Sequence, residues 1–176
     1  MEKRPMKAMA SLAILGIFSA VLYFSSLSFA NGIMAPEIIS PTWINSEPLK
    51  LENLRGKVVI VEFWTFGCWN CRNIEPYVKK WHQKYAKKGL VVIAIHSPEF
   101  SYEKEVEQVK TYVQENNIPY AVPIDNEFWN WRRYKNRYWP TLYVIDKKGT
   151  IQYTRIGEGA YEQTEKTIQR LLAEPA

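Results

Sequence analysis

Cys68-Trp69-Asn70-Cys71 stands between a β-branched, aromatic run, Lys57-Val58-Val59-Ile60-Val61-Glu62-Phe63-Trp64, and a stretch from Cys71 to Lys88 whose apolar residues recur at helical intervals. That order of strand, short loop, paired cysteines and helix constrains the chain more than any other feature. The fold must deliver a strand to a helix start that carries two thiols, and these are the only 2 cysteines of the 176 residues. Two sulfurs bond once their Cβ atoms approach to about 4 Å. Residues three apart on a first helical turn lie about 5 to 6 Å apart, so a small relaxation closes the bridge. Unpaired N–H groups and the positive end of the helix dipole favour the thiolate of Cys68, which makes it the nucleophile. Thiol pKa values in such motifs run from about 7 down to about 3.5. Trp69-Asn70 adds no cation, so the redox potential is not readable from this pair.

Two plainer readings compete. Tetrahedral zinc needs four ligands, and the only histidines are His82, well down the motif helix, and His96, at the end of the next apolar run. A purely structural disulfide is the other. Closing so short a loop restricts the unfolded chain little, so it makes a poor staple.

The N-terminus carries Lys3, Arg4 and Lys7, followed by an uncharged, largely apolar stretch from Ala8 to Ala30. We read residues 1–30 as a signal peptide or signal anchor. Ser28-Phe29-Ala30 resembles a small-x-small cleavage site, yet the stretch is long enough to span a hydrocarbon core of about 30 Å. A retained single-span anchor is the favoured reading, and either outcome places the domain outside the cytoplasm. Residues 31–42, small and proline-containing, read as a linker, and 43–176 as one domain. The net charge is +5. The basic residues do not obviously gather on one functional face: Lys79, Lys80, Lys84, Lys87 and Lys88 fall on the motif helix and its end, where a solvated face explains them, and export argues against a nucleic-acid partner.

The remaining pattern implies an α/β domain with a mixed central sheet flanked by helices. Residues 43–51 suggest a short hairpin. Strand 57–64 leads to the motif helix, about 69–88, which contains Pro76 and stops at Gly89. Strand 90–96, a helix at about 102–116, a short strand at 120–124 and a brief helix at 127–135 follow. Strands 142–145 and 150–156 are joined by the turn Asp146-Lys147-Lys148-Gly149, and a helix at about 160–173 closes the chain.

Phe63-Trp64 ahead of Cys68-x-x-Cys71, Pro76 five residues beyond, and Trp139-Pro140-Thr141 before a strand-turn-strand together resemble the thioredoxin superfamily. Leu54 to Trp64 resembles its membrane-tethered TlpA/ResA branch. Lys88 to Val92, His96 to Phe100 and Asn136 to Pro140 resemble the C-terminal thioredoxin-like domain of DipZ-type proteins. The resemblance covers the chain from residue 42 onwards and implies the thioredoxin-like fold. It also implies that Pro140 is a cis-proline facing the disulfide; an ordinary trans proline starting a strand is the alternative. Glu62, six residues before Cys68, matches the buried carboxylate of that family. A strand Glu is costly to bury ionised, so its pKa is expected to rise and it is placed to relay the proton of Cys71. The alternative is a Glu reaching out at a sheet edge.

Trp69-Asn70 replaces both the Gly-Pro of thioredoxins and the Pro-His of strong oxidants, which leaves direction open. Trp139 replaces the Ile, Thr or Val usual before the cis-proline, implying a narrower or more aromatic substrate groove. Trp64, Phe66, Trp69 and Trp139 are candidates for an apolar rim, although Trp64 reads as core.

The sequence therefore points to an exported, membrane-associated thiol-disulfide oxidoreductase acting on protein thiols and disulfides, with a redox-active pair Cys68 and Cys71 and no cofactor or metal. The resemblance implies a membrane electron donor and favours reduction, for example in cytochrome c maturation. Two rivals are a copper(I) chaperone using Cys68, Cys71 and a histidine, and a thioredoxin-fold binding module without activity. A peroxidase is the weakest reading, since no Thr three residues before a lone peroxidatic cysteine is recognised.

Overall fold

The computed structural model describes residues 32–175. The expected export or anchor segment lies outside them. The elements are β1 (Trp43–Ile44), β2 (Val58–Trp64), α1 (Trp69–Tyr85), β3 (Leu90–His96), α2 (Val106–Glu115), β4 (Val122–Pro123), α3 (Trp129–Arg133), β5 (Thr141–Ile145), β6 (Ile151–Ile156) and α4 (Tyr161–Ala173).

A four-stranded sheet in the order β3-β2-β5-β6 forms the centre. β2 runs parallel to β3, with Glu62 beside Ala94, and antiparallel to β5, with Glu62 beside Leu142. β5 and β6 form the expected antiparallel hairpin. Asp146 Oδ1 accepts the N–H groups of Lys148 and Thr150, and Gly149 takes the positive φ of 80° that the turn needs. Every residue of β2 is buried because both faces of the sheet are covered. Alternation along the strand assigns the faces. Val58, Ile60 and Trp64 join Ile74, Val78, Trp81 and Tyr85 of α1 and Ile168 and Leu171 of α4. Val59, Val61 and Phe63 join Tyr134, Tyr143, Ile38 and Leu51 on the other face. Fully buried side chains such as Trp81 and Ile74 contribute about 1.5 to 3 kcal/mol each through burial.

Three local expectations differ from what is observed. Residues 43–51 form no hairpin: β1 pairs antiparallel with β4, and Leu51–Leu54 is a 3-10 turn. Residues 32–42, read as linker from composition, pack on the domain. Met34 bridges to Thr150, the Ala35 N–H donates to Gly149 O at 2.9 Å, Ile38 is buried, and Glu37 accepts the N–H groups of Leu51 and Glu52 at 2.8 Å. Small and proline-containing composition cannot register such long-range pairings. The helix expected at 102–116 is divided into a 3-10 turn, Ser101–Lys104, and α2, with Glu105 extended between them. At that break the side chain of Glu103 turns into the protein interior.

Candidate active site

α1 opens directly at the cysteine pair. Cys68 is its N-cap, in extended conformation, and Cys68 Sγ accepts the Cys71 N–H at 3.2 Å. No acidic residue occupies the first turn, so the unpaired amides and the dipole act on the sulfur without opposition from their own helix. The two cysteines are joined as a disulfide, with Cα atoms 5.3 Å apart. They are not equivalent: Cys68 lines a surface groove of about 410 Å³, whereas Cys71, only 3% exposed, faces the core. Cys68 is itself only 9% exposed, but of the two it alone lines the groove by which a partner sulfur would approach.

Besides Cys68, the groove is lined by Trp69 at the start of α1, by Glu99, and by Arg137, Tyr138 and Trp139 from the loop before β5. Trp69 is 72% exposed and stands free beside Cys68. Trp139 is held in place: its indole N–H donates to Ser97 O at 2.9 Å, and its ring lies 4.2 Å from that of Trp131. The Trp139–Pro140 peptide bond is cis, and Pro140 O accepts the Gly157 N–H at 2.8 Å, which ties this loop to the end of β6. Of the four aromatics considered for a rim, Trp64 is buried, with its indole N–H on Ala94 O at 3.1 Å, and Phe66 stacks on His96. Trp69 and Trp139 alone reach the groove. Its other wall residues, Glu99, Arg137 and Tyr138, lie in segments the resemblance had marked, but no periodicity or motif spacing singled them out. A second cavity of about 430 Å³, lined by Tyr134, Tyr143 and Tyr153, does not touch the cysteines.

Glu62 sits in the central strand on the face that carries Ile60 and Trp64, the face α1 covers. It is 4% exposed, which excludes a side chain reaching out at a sheet edge. Burial, with a smaller contribution from Glu75, pushes its carboxyl up to about 8. Glu75 is itself engaged, accepting the Tyr112 hydroxyl at 2.9 Å and the Lys79 ammonium at 2.6 Å.

His96 is fully buried at the end of β3. Its Nε2 lies 3.2 Å from Thr65 Oγ1, its Nδ1 has no partner, and burial lowers its pKa to about 3, so the ring is neutral. Thr65 does stand three residues before Cys68, the spacing a peroxidatic site uses, but its hydroxyl is engaged with His96 and Cys68 is not a lone cysteine. Among the described residues, no cluster of three or more His, Cys, Asp or Glu side chains is arranged to hold a metal. Neither histidine joins the sulfurs.

The AhpC/TSA family pattern matches residues 32–154. The chain is 40% identical over 142 residues to Protein DipZ of Mycobacterium tuberculosis, an alignment covering 78% of this chain but 20% of that protein, so the chain spans about a fifth of this relative. It is 27% identical over 132 residues to the thiol-disulfide oxidoreductase YkuV of Bacillus subtilis, covering 75% of this chain and 88% of that one. A thiol-disulfide isomerase from Corynebacterium glutamicum superposes with a TM-score of 0.70 at 28% identity, over 80% of this chain and 97% of the other. The pattern match, the sheet and the closed Cys68–Cys71 bridge agree: the chain belongs to the AhpC/TSA family, with the thioredoxin-like fold of a thiol-disulfide oxidoreductase.

Proposed function

We propose that this protein exchanges disulfides with partner proteins outside the cytoplasm, more as reductant than as oxidant, held at or exported across the membrane by residues 1–30. The observation that carries the chemistry is the inequality of the two sulfurs: Cys68 caps α1 and faces the groove, and Cys71 lies behind it. In the reductive direction the Cys68 thiolate attacks a partner disulfide. A Cys68–partner bond forms and the partner's other sulfur leaves as a thiolate. Cys71 then loses its proton to Glu62 and attacks Cys68 Sγ, which closes the internal bridge and releases the second partner thiol. Two electrons pass from the dithiol to the partner. A carboxyl raised to about 8 is close in acidity to an ordinary thiol, the matching that proton transfer between them requires. Trp69 and Trp139 supply apolar surface to the groove that Cys68 lines, and the cis bond to Pro140 follows directly after Trp139.

The export reading is supported by Lys3, Arg4 and Lys7 ahead of the uncharged stretch Ala8 to Ala30. Among the described residues, no helix is long and apolar enough to cross a membrane. The test is insulin reduction by the full chain with a thiol donor. Turnover by wild type and none by Cys68→Ser supports the reading, and equal rates for the two contradict it. Partners captured as mixed disulfides by Cys71→Ser in membrane preparations would identify the pathway, its direction and any membrane electron donor.

A further inference from the structure

Glu103 lies in the 3-10 turn between β3 and α2 and is fully buried. Its Oε1 accepts the Gly67 N–H at 3.0 Å, and its Oε2 accepts the N–H groups of Phe100, at 2.9 Å, and of Glu99. A buried carboxyl group whose two oxygens only accept, from three backbone donors, is used as a carboxylate. Among the described residues it forms no ion pair. A negative charge is thereby fixed against the residue that precedes the nucleophile. Gly67 fits that contact: a Cβ there would fall 2.1 Å from Glu103 Oε1 and 2.6 Å from the Tyr102 hydroxyl.

We propose that Glu103 is a positioning residue: it fixes the Gly67–Cys68 loop, and its buried charge disfavours the Cys68 thiolate, poising the dithiol to give electrons. The inference deepens the oxidoreductase reading and rests on it. Strongly oxidising dithiols owe their potential to a stabilised thiolate in the reduced form, and a buried anion beside the thiol acts in the opposite sense. Glu99 and Arg137 line the same groove as Cys68, and the elements around it carry Glu62 on β2, Arg72, Glu75 and Lys79 on α1, Tyr102 in the turn segment and neutral His96 at the end of β3. Arg72, Arg137, Glu99 and Tyr102 are exposed, where water and a Debye length of about 8 Å weaken charge effects. Glu62 lies on the sheet face that α1 covers, and Glu75 is paired with Lys79, so neither sets a positive charge against Glu103. The α1 N-terminus pulls the thiolate one way, and Glu103 pulls it back.

The test compares wild type with Glu103→Gln in the full chain, reading the pH dependence of Cys68 alkylation and the equilibrium with glutathione. The variant removes the charge at nearly the same volume; its carbonyl oxygen can keep the Gly67 contact, while its NH2 no longer accepts from Glu99 and Phe100. Its alkylation midpoint is expected about one pH unit lower, and its glutathione equilibrium about tenfold further towards the reduced protein, a rise in potential of about 30 mV. A carboxylate that only holds the loop would change thermal stability and leave both readouts in place. A folded Glu103→Gln chain that titrates and equilibrates like wild type overturns the proposal. Should that variant fail to fold, Gly67→Ala decides: its methyl pushes the carboxylate away without altering any charge, so a shift of about threefold in the same direction is expected, and no shift overturns the proposal. Both readouts need no partner protein. A wild type that cannot reduce insulin therefore sinks the oxidoreductase reading, separately from the role of Glu103.

Discussion

Cys71 donates its backbone N–H to Cys68 Sγ at 3.2 Å. The donor is main chain, so Cys71→Ser retains it while removing the resolving sulfur. That variant should still attack disulfides and then stall. With a peptide disulfide, Cys71→Ser is expected to accumulate a stable mixed adduct on Cys68 in near-stoichiometric yield, and Cys68→Ser none, as measured by intact mass under non-reducing conditions.

Glu62 makes stability fall as pH rises. Its carboxyl titrates near 4.5 in the unfolded chain and near 8 in the folded one, so below 4.5 both states are protonated and nothing is lost. Between 4.5 and 8 the unfolded chain ionises first, and folding is progressively disfavoured, by about 3 to 5 kcal/mol in total. Glu62→Gln removes this slope. Denaturant unfolding at pH 5 and pH 9 should find the variant more stable than wild type at pH 9 by more than it is at pH 5. The same variant should slow release of the mixed disulfide at pH 7 by about 10- to 100-fold, because the base for Cys71 is gone.

His96 acts at the other end of the scale. Its ring stays neutral down to about 3 in the folded state, while the unfolded ring protonates near 6.5. Stability is therefore complete above 6.5 and is lost as pH falls towards 3, again by about 3 to 5 kcal/mol. His96→Asn should flatten the acid limb of the stability curve, read by thermal unfolding between pH 3.5 and pH 7, whatever its cost at neutral pH.

Trp139 is anchored by its hydrogen bond to Ser97 O and its tilted ring contact with Trp131. Trp139→Ala deletes both and leaves Ser97 O without its donor. A loss of about 3 kcal/mol of stability is expected, together with a rise of about tenfold in KM for a peptide disulfide and a smaller change in kcat. Trp69, free beside Cys68, should behave differently: Trp69→Ala raises KM with stability within about 0.5 kcal/mol of wild type.

The sequence carried the parts of the fold that repeat locally. Strand β2, helix α1, whose expected last turn, Ala86–Lys88, is a 3-10 turn ending at Gly89 (φ 100°), and the Asp146–Gly149 turn are each written in periodicity or turn chemistry within a few residues. The same holds for Cys68, whose role follows from its place at a helix start. The strand β1 was misread because its partner, β4, lies some eighty residues on, and two-residue strands have no period to detect. Trp139 and Pro140 were reached through resemblance, since nothing local reveals a cis bond. Glu103 was invisible for a different reason. A Glu in a charged stretch, Glu99 to Glu107, reads as surface, and only the folded chain shows its Oε1 meeting the Gly67 amide.

The most direct measurement is the rate at which each thiol of the reduced full chain is alkylated by iodoacetamide at pH 7, resolved by peptide mass mapping. Cys68, at the helix start and facing the groove, should react at least about 10-fold faster than Cys71. Equal rates at the two positions would contradict a nucleophile and a resolving thiol with separate roles.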